Sequence, residues 1–475
     1  MSRPNTLTKG KLLNDIHAVI ERSGLSDGGC VSFHHHLRNG DGVMNLILTA
    51  LGEAGLKGLH LEATSLFPVH APLVALVEKG VIASIATSYM SGPLAHAISR
   101  GALKTPVRLR THGGRARALD SGEQRIDVAF VAASAADCRG NLSARTGRAP
   151  FGVLGYPMAD VGAAQHVVAV TDTIVPFPAC PIDLSQDRVD MVLQVDRIGD
   201  PAGIGSGATR PAMDPQSVAI AGQAADVIAA SGQLIPGFSF QTGAGGISIA
   251  TAQAVGQAMT THGVQGSFAC GGISGFHVKM LEAGLFRSLM DVQCFDLEAV
   301  ASRSRNSAHQ SMSASAYAGP HVGGAVVDEL SAVVLGAAQV DTDFNVNVTT
   351  RSDGLIIGGS GGHADAAQGA ALTVVTTRLT AAGFAKVVPK VTTLTTPGSC
   401  VDVVVTGAGI AVNPANAALQ DRLGAGGLPV VSIQDLAAKA AVQASQATPP
   451  RASGRVVAQS EHREGYVLDE IRMIE

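Results

Sequence analysis

The chain has 475 residues, 46% of them apolar, with 56 glycines and a formal net charge of −4. That length predicts two or three domains, and the near-neutral charge gives no reason to expect a nucleic-acid partner. Six scattered cysteines (Cys30, Cys138, Cys180, Cys270, Cys294 and Cys400) form no CxxC pair, there is no signal-type apolar core near Met1, and no uninterrupted apolar run of about 18 residues occurs, which together argue for a cytoplasmic protein without a membrane span.

Along the chain, short β-branched runs alternate with alanine-rich helical stretches. Thr8–Arg22 predicts a helix. A short strand signal at Gly29–Val31 then leads into Ser32–Arg38, SFHHHLR. Neighbours on a strand point to opposite faces, so three adjacent histidines do not share one metal, and none is expected. His35 or His36, at a strand end, is a candidate to hydrogen-bond substrate or cofactor.

After a helix at Pro72–Lys79 comes Lys104–Arg117, KTPVRLRTHGGRAR, with five basic residues, one histidine and no acid. Arg108 and Arg110 share a face if this is a strand, and His112-Gly-Gly predicts a turn before Arg115 and Arg117. Guanidinium forks suit carboxylates and phosphates, so Arg115 and Arg117 are anion-binding candidates; a solvated basic face is the competing reading. Strands are predicted at Arg125–Val131, His166–Val170 and Met191–Val195. Ile198–Pro215 then combines four glycines with three prolines and marks the best boundary between domains.

The second half opens with a helix at Pro215–Ser231. Phe238–Ser248, FSFQTGAGGIS, reads as a strand, a glycine-rich turn and the start of a helix over Ile247–Thr261. Backbone N–H groups at such a helix start bind anions or a developing oxyanion, unless the turn merely packs closely. A dinucleotide fingerprint is disfavoured, because Ser248 stands where the third glycine belongs and no acid lies near residue 263. A strand at Ser331–Leu335 precedes a second glycine cluster in Ile356–Gly369, IIGGSGGHADAAQG, feeding a helix predicted over Ala364–Leu379. His363 is either a substrate-binding or a packing histidine. Val401–Val405, apolar on both parities, reads as a buried parallel strand; Ile433–Gln443 predicts a helix, and Ala444–Gly454 looks loosely ordered. The whole pattern predicts α/β architecture with mainly parallel sheets. Neither HExxH nor a Walker loop is present.

Taken in order, GCVSFHHHLRNGD, VRLRTHGGRARAL, IDVAFVAASAADCRGN, VDRIGDPAGIGSGATR, PGFSFQTGAGGIS, LEAGLFRSLMDVQCFDLEAV, GGSGGHADAAQGA and VDVVVTGAGIAVNP resemble the citrate lyase α-chain family, within the CoA transferases. The resemblance runs from about residue 29 to the C-terminal EHREGYVLDEIRMIE. It implies two related α/β domains, residues 1–210 and 211–475, in an oligomer. It also implies a reaction in which an acetylated carrier protein and citrate give a citrylated carrier and acetate. The thioester would belong to CoA or a CoA-derived arm on a partner acyl carrier subunit, with none attached to this chain, and a separate lyase subunit would cleave the citryl product. The transferase subunit of a malonate decarboxylase and a transferase using free CoA are the alternatives within enzymes. A non-catalytic scaffold that docks a carrier is the alternative outside them, and two glycine-rich helix starts argue against it.

In the wider acetyl-CoA hydrolase and transferase family the active site comprises QxGxG, GxHxEM and GGQxD segments. The counterparts here are Gln241-Thr-Gly243-Ala-Gly245, Gly275-Phe-His277-Val-Lys279-Met280 and Gly361-Gly-His363-Ala-Asp365. Lys279 stands where that family has its nucleophilic glutamate, and a lysine does not form the acyl-anhydride and thioester intermediates of a carboxylate. The expectation is therefore direct exchange between substrates, with Glu282 as a possible displaced nucleophile. Gln241 is expected in the site, Gly243 and Gly245 against the cofactor, and the N–H groups of Gly245 and Gly246 at the oxyanion. Gly361 and Gly362 would face them, and Lys279 would neutralise a carboxylate.

Overall fold

The short apolar runs form strands buried on both faces, as parallel sheets under helices require. In the computed structural model, which describes residues 10–205, 209–447, 449 and 452–475, they assemble into two large sheets. Across the first, the strands begin at Leu12, Met191, Ala164, Ile126, Cys30, Leu59, Ile82, Val107, Val456 and Val467. All neighbours are parallel except the last pair. Across the second they begin at His309, Phe286, Gly266, Ser239, Ala332, Thr373, Val403 and Gly409, again with only the last pair antiparallel.

The first sheet takes its strands from residues up to Gln194 and the second from Ser239 to Val412, on either side of the expected boundary. The final hairpin, Val456–Glu461 with Val467–Arg472, crosses back and extends the first sheet beside Val107–Leu109. Chain halves and sheets therefore do not coincide at the C-terminus. Parts of three predicted segments, residues 8–9, 206–208 and 448, 450 and 451, lie outside the described residues.

Most predicted helices form where the capping residues place them. Pro215–Ala230 begins at Asp214, whose carboxylate accepts from the Ser217 N–H at 3.1 Å, with proline in the first turn. Gly246–His262 ends at Gly263 in the left-handed conformation. Three expectations need correction. Thr8–Arg22 gives a helix only at Ile16–Ser23, because Asp15 caps it there by accepting from the His17 N–H, while Leu12–Leu13 pairs as a strand with Met191–Gln194. Ala364–Leu379 breaks after Gly369, since the β-branched run Thr373–Thr376 is a central strand of the second sheet. The turn expected at His112-Gly-Gly is the first turn of helix His112–Asp120, capped by Thr111 accepting from the Gly114 N–H at 2.8 Å.

The glycine-rich connection after Ile198 is clamped on the loop that follows Cys30–Phe33. Asp200 N–H donates to the Gly40 carbonyl at 2.8 Å and Gly42 N–H to that of Ile198 at 3.0 Å. A Cβ at Gly40 would overlap the Asp200 carbonyl oxygen, so the two backbones approach only because a side chain is missing there. The contact fixes the loop carrying Arg38. Among the described residues no helix is long and apolar enough to cross a membrane.

Candidate active site

In parallel α/β sheets ligands bind beyond the carboxyl ends of the strands, where loops and helix starts gather. Both sheets contribute such ends to one cleft of about 550 Å3. His35 and Arg38 follow Cys30–Phe33, Ser65 and Phe67 follow Leu59–Ala63, Tyr89 follows Ile82–Thr87, and His112 follows Val107–Leu109. From the second sheet come Gly243–Gly246 after Ser239–Thr242, Ala337 after Ala332–Gly336, and Thr377 with Arg378 after Thr373–Thr376. Among the described lining residues there is no Asp, Glu or Cys.

The cleft brings together Gln241, Gly243, Gly245, Gly246, Gly361, Gly362, His35 and His363. Their hydrogen bonds redistribute the expected roles. Gly245 N–H donates to the Gly243 carbonyl at 2.9 Å and is not free for an oxyanion. The donors without an acceptor among the described residues belong to the first turn of the 17-residue helix Gly246–His262, namely Gly246, Ile247 and Ser248. Gly361 N–H is likewise committed, to the Ser88 carbonyl at 3.0 Å, and the Gly361 carbonyl accepts from the His112 N–H at 2.8 Å. His363 has both ring nitrogens bonded, to the Thr396 hydroxyl at 2.8 Å and the Gly336 carbonyl at 2.9 Å, while burial pushes its pKa down to about 4. It is a neutral brace for the second glycine loop rather than a substrate ligand. Gly358–Gly362 also spells GxSxG, yet the Ser360 hydroxyl accepts from Ala364 N–H and no histidine is bonded to it, so it lacks an activating base.

Gln241 is fixed from two sides: its amide donates to the Tyr317 hydroxyl at 2.8 Å, and its carbonyl accepts from the Cys270 thiol at 3.3 Å. His35 meets Thr64 through Nδ1 at 2.6 Å, and its Nε2 has no hydrogen-bond partner among the described residues. Its ring and that of His112 flank Tyr156, with centroids 4.8 and 4.5 Å from the Tyr156 ring. Burial, aided by the positive charges of Arg115 and Arg38, pushes the His112 pKa down to about 3, and burial also holds His35 well below its usual value. Both rings are neutral.

Four expected residues lie elsewhere. Arg115 is buried and fully engaged, with Nη1 2.6 Å and Nη2 3.0 Å from Asp160 and Nε 3.0 Å from Glu62. Arg117 pairs with Glu123 at 2.8 Å. Arg110 pairs with Glu62 at 3.1 Å and Arg108 with Glu461 at 2.5 Å, so four acids, three of them remote in sequence, pair with all four arginines of the stretch. His36 turns away to the Ile198 carbonyl at 3.2 Å and to Asp41 at 3.6 Å. Lys279 is exposed on helix Gly275–Glu282, its ammonium 5.9 Å above the Phe276 ring and outside the cleft. Glu282 is exposed too, hydrogen-bonded to Arg305 and Asn306.

Three cations not singled out in the sequence line the cleft instead: Lys386, Arg38 and Arg378, the last paired with Asp214. Lys386 makes no ion pair among the described residues, and burial, with the nearby Arg378 charge, lowers its pKa to about 8. Arg38 sits at φ 53°, in the left-handed region, and is only 7% exposed. Its guanidinium lies 5.0 Å from the Phe67 ring centroid and 5.3 Å from that of Phe295. The available signal was position: a polar run directly after a parallel strand marks the ligand-binding end of a sheet.

Two parallel sheets whose strand ends share a cleft lined by glycine-rich helix starts define a CoA-transferase-like α/β protein. The α subunit of malonate decarboxylase from Acinetobacter baumannii shares this fold, with a TM-score of 0.66, 15% identity and 93% of each chain covered. The family model for the α subunit of citrate lyase matches residues 9–474, and the chain belongs to that family. It is 44% identical to the citrate lyase α chain of Escherichia coli (strain K12) over 464 residues, 98% of this chain and 91% of that one. The α subunit of citrate lyase from Streptococcus mutans, solved in complex with citrate, is 41% identical with a TM-score of 0.96, covering 100% of this chain and 94% of that chain.

Proposed function

We propose that the chain is the acyl-exchanging subunit of a cytoplasmic citrate lyase assembly, turning an acetyl thioester and citrate into a citryl thioester and acetate. The donor is an acetylated CoA-type arm on an acyl carrier subunit, and the citryl product passes to a lyase subunit. Citrate bound to a relative 41% identical in sequence favours it over malonate as acceptor.

The observation that carries the mechanism is a cleft with free helix-start N–H groups and no carboxylate or thiol among its described lining residues. A citrate carboxylate oxygen attacks the acetyl carbonyl carbon, the C–S bond breaks, and a citryl–acetyl anhydride and a thiolate result. The thiolate then attacks the citryl carbonyl, and acetate leaves with the bridging oxygen. Gly246 and Ile247 N–H groups stabilise the oxyanion of each step, and the cleft walls hold the reactants in attack geometry.

A single turnover with enzyme in excess tests this. With acetyl-CoA as donor and 18O-labelled citrate carboxyls, direct exchange places one 18O in the released acetate. Unlabelled acetate with an isolable enzyme thioester would instead require a protein nucleophile. A scaffold would give no citryl-CoA at all.

Lys386 lines the cleft near Arg378, and as a cation there it can receive a phosphate of the donor. Its pKa near 8 means it is cationic below that pH and neutral above. The KM for acetyl-CoA is therefore expected to rise above about pH 8 in the wild type and to follow a flat profile in Lys386→Met. Parallel profiles would remove Lys386 from donor binding.

A further inference from the structure

Three polar side chains lining the cleft are more than nine-tenths buried and carry an unbonded polar atom, Arg38, His112 and Thr242, of which the first two are ionisable. Arg38 forms no ion pair and no side-chain hydrogen bond among the described residues, and its Nε is buried and unbonded. His112, 9% exposed, has a buried, unbonded Nδ1. Every other arginine in the wall behind this site, from Arg108 to Arg117, is matched to a carboxylate. A charge taken out of water demands a counter-charge, so the missing partner of Arg38 is an anion that enters the cleft.

The loop is built to hold that side chain in place. Arg38 N–H donates to the His35 carbonyl at 3.0 Å, and Asp41 N–H donates back to the Arg38 carbonyl at 3.2 Å. Asp41 in turn accepts from His70 Nε2 at 3.0 Å, while His70 Nδ1 accepts from the Phe67 N–H at 2.9 Å. One buried pair thus fixes both the arginine and the ring beneath it. A left-handed arginine in such a setting marks a functional constraint.

We infer that the Arg38 guanidinium, with neutral His112 as a hydrogen-bonding neighbour, receives a carboxylate of the acceptor acid that does not undergo exchange. The inference rests on the acyl-exchange reading and adds to it the device that separates a polycarboxylate from acetate. Only one carboxylate of citrate is activated, so at least one other needs a counter-charge away from the helix start of Gly246. Arg378 does not fill that role, being paired with Asp214 at 2.6 Å and bonded to Ser217 at 2.8 Å.

The test uses the full-length protein with acetyl-CoA, comparing citrate with labelled acetate as acceptor, for the wild type, Arg38→Gln, Arg38→Lys and His112→Gln. Losing a bidentate contact to a desolvated carboxylate is expected to raise the citrate KM about 100-fold in Arg38→Gln, with a much smaller change in kcat. The citrate-over-acetate preference should collapse in parallel. Arg38→Lys, which keeps the charge without the fork, should recover part of it, and His112→Gln should show a smaller loss in the same direction. If Arg38→Gln does not fold, the lysine and His112 variants still decide, because both retain a polar group at the site. A citrate KM within threefold of wild type, or equal losses with citrate and acetate, would overturn the assignment. Calorimetric citrate binding separates the two readings: wild-type protein that binds citrate without exchange sinks the transferase reading, while loss of that binding in Arg38→Gln still upholds Arg38.

Discussion

Arg115→Ala is expected to cost stability rather than citrate affinity. The guanidinium sits between Asp160 and Glu62, all three buried, so its removal leaves Asp160 without a counter-charge and Glu62 with Arg110 alone. Breaking a buried ion pair from one side costs about 3–5 kcal/mol. Burial already raises the Asp160 pKa against the pull of Arg115. For Glu62, burial pushes the same way, but His60, 3.6 Å away, and the charges of Arg110 and Arg115 outweigh it and hold the carboxyl below its usual range. Without Arg115 both carboxyls shift up. A group whose folded pKa is raised favours folding while protonated and loses that contribution as pH rises through the folded value. The deficit of Arg115→Ala should therefore be largest at pH 8 and shrink toward pH 5, and Asp160→Asn in the same background should recover part of it. Denaturation midpoints across that range decide the matter. A midpoint close to wild type with a citrate KM raised tenfold or more would return Arg115 to the binding site.

That reversal shows which information a linear reading carries. Strand and helix identity was legible because periodicity and caps are local: Asp214 with Pro215, or Gly263 after His262, act within one turn. Both glycine-rich segments were placed at the cleft for the same reason. Charge pairing is not local. Arg115 finds Asp160 from 45 residues away and Arg108 finds Glu461 across 353, the latter only because the C-terminal hairpin returns to the first sheet. A cluster that looks basic along the chain is neutral in space. Arg38 is the opposite case, a single arginine among histidines and glycines whose significance is that no described acid pairs with its guanidinium. Lys279, expected to neutralise a carboxylate, lies outside the cleft, because its helix presents it to solvent. Backbone commitments such as Gly245 to Gly243 are likewise invisible before the turn is built.

Gly362→Ala is expected to remove at least about 100-fold of kcat/KM while leaving the fold intact, the scale of loss that a misplacement of about 1 Å produces at a reacting centre. Gly362 has φ −96° and ψ 9°, a conformation open to alanine, so the substitution carries no backbone penalty. What it meets is a side chain. The new Cβ would overlap the Tyr317 hydroxyl oxygen and lie 3.1 Å from two carbons of its ring. Tyr317 is buried, and its hydroxyl accepts from Gln241, which the Cys270 thiol holds from the other side. The ring therefore moves only by drawing Gln241 out of the strand end that leads into Gly243–Gly246. A methyl group on one glycine loop is thus transmitted, through one tyrosine, to the helix start on the other. If this coupling is right, adding Tyr317→Phe to Gly362→Ala deletes the overlapping oxygen and should restore activity tenfold or more, although Tyr317→Phe alone removes a hydrogen bond. Gly361→Ala makes the contrast: at φ 53° it strains the backbone as well and should lower the denaturation midpoint, which Gly362→Ala should not. Full activity in Gly362→Ala would mean that Tyr317 yields freely and that the two loops act independently.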